Sequence, residues 1–410
     1  MIIGTAGCGL GYAVKRSGNS VAYCALGIKC GTRNEDGYHS GIAHFAEHTI
    51  FKGTERRSAS VINSYLDRLG GELNAYTTKE EIVLHATVLK EDLPKAADLL
   101  FELAASATFP EKEVEKEKGV VIDEINSYKD SPSEDIYDRF EEMLFQGHPL
   151  SRPILGTAAS VRKITGAELH RFTKEKFIPE NMSFSVVADI PEERMRGLAE
   201  RLCGKFFSGR ETADAVSGTR PAVDIHNVFD KTVNKRNHQV NCIIGGPAPS
   251  LYQDHERVAA ALLCNILGGP ASNSILNSVL REKYGLVYGV ECSYTQYADT
   301  GIAVISFGCD RSNHEKCQEF IGKEVRKLQD SPFGPRMLSA AKKQFLGQLA
   351  IASDNGESQC LSMCKSLLAY GTVISGSKTR EMVESVTSSD IQESAMRIFS
   401  RPSCSRLIFL

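Results

Sequence analysis

The sequence has 410 residues, of which 42% are hydrophobic and 24% are charged, and its formal net charge is −3. This composition is typical of a globular protein of roughly two to three domains and argues against a disordered chain. The balanced charge gives no strongly basic surface of the kind that attracts nucleic acids or anionic membranes, so we expect neither as a partner.

The first half of the chain predicts strands mixed with helices. The expected elements, in chain order, are a strand (Asn19–Lys29), helices over Ser40–Phe51 and from Ser58 to the Gly70-Gly71 break, a strand (Glu81–Leu89), two amphipathic helices (Leu93–Ala107 and Glu111–Tyr128) and a strand (Met182–Ala188). The last of these helices is expected to pack through an apolar stripe of Val114, Val121, Ile125 and Tyr128.

A polar stretch rich in glycine and serine, from Ser208 to Pro221, is the best candidate for a linker. After it we predict a strand (Val240–Ile244), a turn (Gly245–Pro247) and a helix (Asp254–Leu267). The predicted organisation is an N-terminal domain over 1–207, a linker over 208–234 and a C-terminal domain over 235–410.

The two halves are distantly alike. Ile62-Asn63-Ser64, followed by Leu66, precedes a glycine-containing break and then strands, and Leu276-Asn277-Ser278, followed by Leu280, does the same. This weak repeat predicts an α+β fold of two similar domains, each a mainly antiparallel β-sheet packed with helices.

The 12 cysteines are scattered, and none forms a CxxC pair. Several lie in apolar runs, where a free thiol behaves as a small hydrophobic group. The start of the chain lacks the pattern of a secretion signal, and no stretch reaches the roughly 20 apolar residues of a membrane helix. We therefore expect a reducing compartment, the cytoplasm.

The segment His44-Phe45-Ala46-Glu47-His48 carries the chemistry. Because positions i and i+4 share one face of a helix, His44 and His48 can bind one metal ion. Glu47 can then reach a water on that ion without becoming a ligand and take its proton during attack on a carbonyl. The bare pattern also fits a solvated helix face, so it predicts a metal site only together with a third ligand.

The helix over Glu111–Tyr128 offers that ligand. Glu117 and Glu124 are seven residues apart and lie on one face, beside the apolar residues Val120, Val121 and Ile125. A charged surface helix explains the start of this segment, but it does not explain Glu124 within the run VVIDEI, because a carboxylate among apolar residues needs a partner. In the second half, the matching helix is apolar over Ala259–Cys264, so the metal is expected in the first half alone.

Four segments together resemble the pitrilysin- and insulinase-type zinc peptidases, which include the mitochondrial processing peptidases. They are GIAHFAEHTIFKGT (Gly41–Thr54), GGELNAYTTKE (Gly70–Glu80), EKEKGVVIDEI (Glu115–Ile125) and GHPLSRPILGT (Gly147–Thr157). The resemblance covers nearly the whole chain and implies a zinc metalloendopeptidase.

Carried over residue by residue, the resemblance implies specific roles. The zinc ligands are His44, His48 and Glu124, the base is Glu47, and Glu117 orients a ligand histidine. An extended peptide substrate would add to the sheet along Asn74, Ala75, Tyr76 and Thr77. Arg281 and Tyr288, in the segment REKYGLVY, would hold the substrate and stabilise the developing oxyanion.

The resemblance also predicts the assembly. Long members of the family close four such domains around the peptide, whereas short members pair two chains. We therefore expect a homodimer in which the partner's Arg281 and Tyr288 complete each site, around a closed chamber that admits peptides or unfolded segments. A heterodimer with a related chain stays open.

Three alternatives stay open on the sequence. The chain could be a non-catalytic or partner-dependent subunit, but such chains typically lack part of the metal motif. It could be a different metal hydrolase, which the matching segments outside the helix argue against. It could also be a structural protein that makes no use of these side chains.

Overall fold

The computed structural model describes residues 1–208, 223, 227–235, 237, 239–401 and 403–410. The strands are β1 (Ile2–Thr5), β2 (Gly11–Arg16), β3 (Val21–Ile28), β4 (Glu72–Thr77), β5 (Ile82–Leu89), β6 (Met182–Ala188), β7 (Asp230–Val233), β8 (Gln239–Ala248), β9 (Val287–Gln296), β10 (Gly301–Asp310) and β11 (Ser405–Phe409). The helices are α1 (Ile42–Thr49), α2 (Ala59–Tyr65), α3 (Leu93–Ser106), α4 (Glu111–Asp130), α5 (Pro132–Leu144), α6 (Ala158–Val161), α7 (Gly166–Lys176), α8 (Glu192–Phe206), α9 (Asp254–Gly268), α10 (His314–Asp330), α11 (Pro335–Asp354), α12 (Gly356–Tyr370), α13 (Gly376–Ser385) and α14 (Ser388–Phe399).

The described residues form two compact units. The first comprises those within Met1–Asn126, Arg152–Gly218 and Ile351–Ile374, and the second comprises those within Ser127–Ser151, Thr219–Ala350 and Ser375–Leu410. Each unit therefore takes one segment from the opposite half of the sequence. The predicted domains, 1–207 and 235–410, are each continuous in sequence and do not include these two exchanged segments.

The first unit is built on a six-stranded sheet in the order β1-β2-β6-β3-β5-β4. β2 and β6 are parallel, whereas the other neighbouring strands are antiparallel. The second unit has a five-stranded sheet in the order β7-β11-β8-β10-β9, again with one parallel pair, β7 and β11. The shared order and strand directions confirm the predicted pair of similar α+β domains.

The internal repeat occupies matching places in the two units. Ile62–Leu66 leads into β4, the last strand of the first sheet, and Leu276–Leu280 leads into β9, the last strand of the second sheet. In the second unit, this segment continues as a π-helix over Asn277–Lys283. The weak sequence repeat therefore marks a structural one.

One sequence prediction around the second sheet is wrong. Gly245–Pro247 is not a turn, because it continues β8, which pairs with β10 and β11. A Cβ at Gly245 would lie 2.1 Å from the carbonyl oxygen of Ala303, so the glycine serves close strand packing. The predicted linker over 208–234 contains strand β7 near its end. Residues 209–222 and 224–226 of the linker lie outside the described residues.

Each sheet has a helix on its second face. In the first unit, Ala13, Ala25 and Val187 point away from the main core and pack with α12, through residues such as Cys360 and Met363. In the second unit, α5 covers the sheet in the same way, through Ile136, Phe140 and Leu144. These two helices belong to the exchanged segments, so each unit completes its core with a helix from the other half of the sequence.

The helix α4 matches its prediction over most of its length. Val114, Val121 and Ile125 are buried and form its apolar stripe. Tyr128, predicted to be in that stripe, is 40% exposed, and Val120 beside Glu124 is 52% exposed. The buried face of the helix therefore ends near Ile125, one turn earlier than predicted.

The short helix α1 is capped by a residue outside it. Gly41 precedes the helix with a φ of 90°, and its missing side chain leaves room for the carbonyl oxygen of Leu155. The buried carboxyl of Glu35 supplies the cap instead, because it accepts hydrogen bonds from the backbone N–H groups of Gly41 and Ala43, at 2.9 and 3.0 Å. Glu35 thus fixes the start of the helix that carries His44.

The packing of α12 predicts a loss of stability in Met363→Ala. Met363 is 3% exposed, so truncation leaves a cavity under the helix and is expected to lower the free energy of unfolding by roughly 2–5 kcal/mol. The measurement is chemical denaturation followed by circular dichroism. Met337→Ala is the matched control, because that side chain is 56% exposed and its loss is expected to stay within about 0.5 kcal/mol. Equal stabilities of the two variants would contradict this packing.

The buried cap predicts a pH dependence of stability. Burial raises the pKa of Glu35 from 4.5 to about 7, against the hydrogen bonds from Ala43 and Gly41, which lower it. Between these pH values the unfolded chain ionises Glu35 while the folded chain keeps the proton, so the stabilising contribution is full below 4.5 and lost as the pH rises to 7.

Metal-free native protein and Glu35→Gln are compared by denaturation across this pH range. The free energy of unfolding of the native protein, relative to the variant, is expected to fall with rising pH by up to roughly 3 kcal/mol. A difference that stays constant with pH would refute the assignment.

Candidate metal centre

The helix α1 brings its two histidines together on one face. Its opposite face, with Ile42, Phe45 and Ala46, is fully buried in the core of the first unit. The ring centroids of His44 and His48 are 4.5 Å apart, as expected for positions i and i+4. The apolar face therefore fixes the direction in which both imidazoles point.

Glu124 reaches this pair from α4. Its Oε2 atom lies 3.4 Å from Nε2 of His48 and 3.8 Å from Nε2 of His44. The same oxygen is buried and has no hydrogen-bond partner among the described residues. A buried carboxylate oxygen without a donor is costly, so its position between two imidazole nitrogens points to a cation.

The three residues fit a zinc ion. Their ligand atoms all lie within 4.8 Å of one another, and they form the one such group found in the described part of the chain. Ligands at zinc's usual bond lengths in a tetrahedron lie about 3.4 Å apart, close to the two distances seen here. Two imidazoles and one carboxylate leave a fourth position open, as in catalytic zinc sites.

The two histidines differ in their electrostatics. Burial, together with the charge of His48, lowers the pKa of His44 from 6.5 to about 3, so His44 is neutral and able to bind a metal. Burial also lowers the pKa of His48, but the hydrogen bond with Glu117 and the surrounding carboxylates outweigh it and raise the pKa. Acidic surroundings of this kind favour a cation at the site.

Glu47 is adjacent to the candidate ligand His48 and is not part of the grouped His44, His48 and Glu124. Its Oε2 accepts a hydrogen bond from the hydroxyl of Thr77 at 3.3 Å. Burial raises the pKa of Glu47, against the charge of His48 and the hydrogen bond from Thr77. A carboxylate with a raised pKa beside an open ligand position is suited to accept a proton near neutral pH.

Glu117 supports His48 from behind. Its Oε1 lies 3.0 Å from Nδ1 of His48, and its Oε2 lies 2.8 Å from Nζ of Lys52. Burial raises the pKa of Glu117, but the hydrogen bonds and charges of His48 and Lys52 bring it below the ordinary value. Asp123, the neighbour of Glu124 on α4, is exposed.

The residues predicted to bind substrate lie in β4. This strand pairs with β5 and ends the order of its sheet, and no described strand pairs with its other edge. Asn74 is exposed, whereas Ala75, Tyr76 and Thr77 are partly buried. Through Thr77, the end of this edge strand reaches Glu47.

The predicted pair Arg281 and Tyr288 lies in the second unit. Arg281 is in the π-helical segment with its side chain 56% exposed, 3.5 Å from Glu282. Tyr288 is in β9, is 61% exposed, and donates its hydroxyl hydrogen bond to Asp310 at 2.7 Å. The roles of these two residues stay predictions.

Sequence reasoning missed two residues that support the site, Glu35 and Lys52. The signal for Glu35 was a helix that begins after a glycine, since Gly41 has no side chain to cap it. Lys52 lies within the segment Gly41–Thr54, but only the fold places its ammonium group next to Glu117.

The sequence matches two family models. Residues 12–158 match the model described as insulinase, peptidase family M16, and residues 163–345 match the model of the peptidase M16 inactive domain. The first range contains the three candidate metal ligands, and the second contains the apolar helix α9.

Similar proteins extend over nearly the whole chain. An uncharacterized zinc protease of Rickettsia bellii is 30% identical over 390 residues, which are 95% of this chain and 92% of that protein. The zinc protease YmxG of Bacillus subtilis, also uncharacterized, is 30% identical over 86% of this chain and 84% of its own length.

Solved structures show the same fold. A protease from Helicobacter pylori superposes with a TM-score of 0.90 at 21% identity, covering 100% of this chain and 98% of that chain. A peptidase M16 inactive-domain structure from Pseudomonas fluorescens gives a TM-score of 0.87 at 17% identity, covering 100% and 97%. On the family models and the relatives together, the chain belongs to the insulinase family of peptidases, family M16.

Proposed function

We propose that this protein is a zinc metalloendopeptidase in which His44, His48 and Glu124 hold the metal. The observation that carries this proposal is the convergence of two Nε2 atoms on a buried, unpartnered carboxylate oxygen of Glu124. The relatives named zinc proteases support the same metal. A bound Zn²⁺ would polarise the scissile carbonyl and lower the pKa of a water toward about 7.

In this proposal Glu47 is the general base. It lies one residue from His48 and outside the ligand set, so its carboxylate is free to take the proton of the attacking water. The same group can return that proton to the leaving amine. Thr77 holds one oxygen of Glu47 and so orients the other.

We further propose that the peptide adds to the sheet along β4. An edge strand offers unpaired backbone N–H and C=O groups that bind an extended chain largely independently of its sequence. A peptide that runs along Asn74–Thr77 would pass Glu47 at the end of the strand, because Thr77 contacts it. This requirement for an extended chain favours peptides and unfolded segments as substrates.

We propose a homodimer with a closed chamber for the assembly. The support is the family membership together with the presence of both the candidate metal ligands and the Arg281/Tyr288 pair in one chain. The partner's Arg281 and Tyr288 would then hold the substrate and stabilise the oxyanion at each site. All 12 cysteines are free thiols, which favours the cytoplasm as the location. No described helix is long and apolar enough to cross a membrane.

The competing function is a non-catalytic or partner-dependent subunit of a heterodimeric peptidase. Metal content measured by elemental analysis, with cleavage of a quenched fluorescent peptide library with and without a chelator, separates the two. About one zinc per chain and chelator-sensitive cleavage support the enzyme. A folded protein without metal or cleavage supports the subunit.

The assigned base predicts different effects for neighbouring substitutions. Glu47→Gln is expected to keep the metal and to lower turnover by roughly 100-fold or more, because it removes only the proton acceptor. His48→Ala is expected to lose both metal and activity. Asp123→Asn is the matched control on α4, expected to keep both. Near-native turnover in Glu47→Gln would overturn this mechanism.

The proposed dimer predicts complementation between two inactive variants. Glu47→Gln and Arg281→Ala chains are unfolded together, refolded and assayed. If sites are shared, random pairing gives mixed dimers with one complete site each, and roughly a quarter of native activity is recovered. If each site is completed within one chain, no activity is recovered, and the shared-site model is wrong.

A further inference from the structure

The side chain of Lys52 lies behind the metal centre. Its Nζ atom is 2.8 Å from Oε2 of Glu117, and the other oxygen of Glu117 is 3.0 Å from Nδ1 of His48. The Glu117 side chain is 8% exposed and that of Lys52 is 25% exposed. The three groups form a continuous chain from the solvent-facing ammonium group to the ligand imidazole.

Lys52 is held in place by the turn that follows α1. This turn covers Ile50–Lys52, and the backbone N–H of Thr108 donates to the carbonyl oxygen of the next residue, Gly53, at 3.0 Å. Thr54 then bridges to Ala107. The backbone of Lys52 is therefore fixed relative to α1, so its side chain approaches Glu117 from one direction.

The contacts of Glu117 distinguish it from Glu124. Each oxygen of Glu117 has its own partner, Lys52 or His48, whereas Oε2 of Glu124 has none among the described residues. Because Lys52 binds Oε2 of Glu117, this oxygen is not free to coordinate a cation at the site. The position of Lys52 therefore distinguishes Glu117, which is paired with a lysine, from Glu124, which is not.

We propose that Lys52 is a positioning residue that acts on the metal through Glu117. By binding Oε2, it turns Oε1 of Glu117 toward His48, and a carboxylate oxygen there can only accept a hydrogen bond. The proton of the neutral imidazole is thereby kept on Nδ1, and the lone pair of Nε2 is directed at the metal. This inference rests on the proposed metal site.

His48 depends on this arrangement more than His44 does. Nδ1 of His44 is buried without a hydrogen-bond partner among the described residues, so no side chain fixes its tautomer. The Lys52–Glu117 pair is therefore the contact that orients a ligand ring from outside the ligand set. Removing the lysine is expected to weaken zinc binding without removing a ligand.

The test compares zinc affinity of metal-stripped variants by competition with a chelator. Lys52→Met keeps most of the side chain but not its charge, and it is expected to bind zinc roughly tenfold more weakly, at the low end of the range for contacts behind a ligand. Lys52→Arg restores a donor to Glu117 and is expected to stay near the native affinity. Lys116→Met is the matched control, since Lys116 is an exposed lysine of α4 paired with Glu113.

A double-mutant cycle with Glu117→Gln tests the route. Lys52→Met is expected to have no further effect in that background, because the lysine acts only through Glu117. An equal loss in both backgrounds, or an unchanged affinity in Lys52→Met alone, would overturn the proposal. Circular dichroism confirms that each variant folds, and Lys52→Gln replaces Lys52→Met if the latter does not.

A second readout separates this inference from the metal site itself. In metal-free protein with ¹⁵N-labelled histidine, measured at a pH high enough for the His48 ring to be neutral, the ring is expected to carry its proton on Nδ1, and Lys52→Met is expected to shift it toward a mixture of tautomers. If the native protein binds no zinc, the proposed function fails, while the tautomer result still decides the role of Lys52. An unaltered His48 spectrum in Lys52→Met would contradict that role.

Discussion

The site depends on one constraint. The two-turn helix α1 buries one face completely in the core, and its opposite face, with the two histidines, is directed toward Glu124 of α4. Phe45 and Ala46 are fully buried, so α1 cannot rotate without exposing them. His44 and His48 are thereby held in one direction, and Glu124 of α4 completes the candidate ligand set. Glu35 fixes the start of this helix and the Ile50–Lys52 turn fixes its end.

Charge is distributed around this helix in layers. The innermost layer holds two imidazoles and an oxygen of Glu124 that has no hydrogen-bond partner among the described residues. Behind it, Glu117 is balanced by Lys52. The zinc ion proposed at this site would supply a positive charge beside the Glu124 oxygen.

The two units show how one architecture serves different purposes. Both sheets share the order of five strands, and both have a helix on the second face. In the first unit α1 carries the candidate ligands His44 and His48, whereas helix α9 of the second unit is filled with apolar residues such as Leu262 and Leu263. The second unit therefore repeats the order of five strands of the first, with a run of apolar residues in α9.

The sequence by itself predicted the candidate metal centre, because His44, Glu47 and His48 are local to one helix and the 3.6-residue period places them close together. It also predicted about half of the strands and helices of the first half, those with strong apolar periods, and the likeness of the two halves. The exchange of α5 and α12 between units was decided only by the tertiary structure, because an apolar helix face does not specify which sheet it covers. The same holds for Gly245–Pro247, where close strand packing overrides turn propensity, and for Glu35 and Lys52, whose partners are set by three-dimensional packing rather than by spacing along the chain.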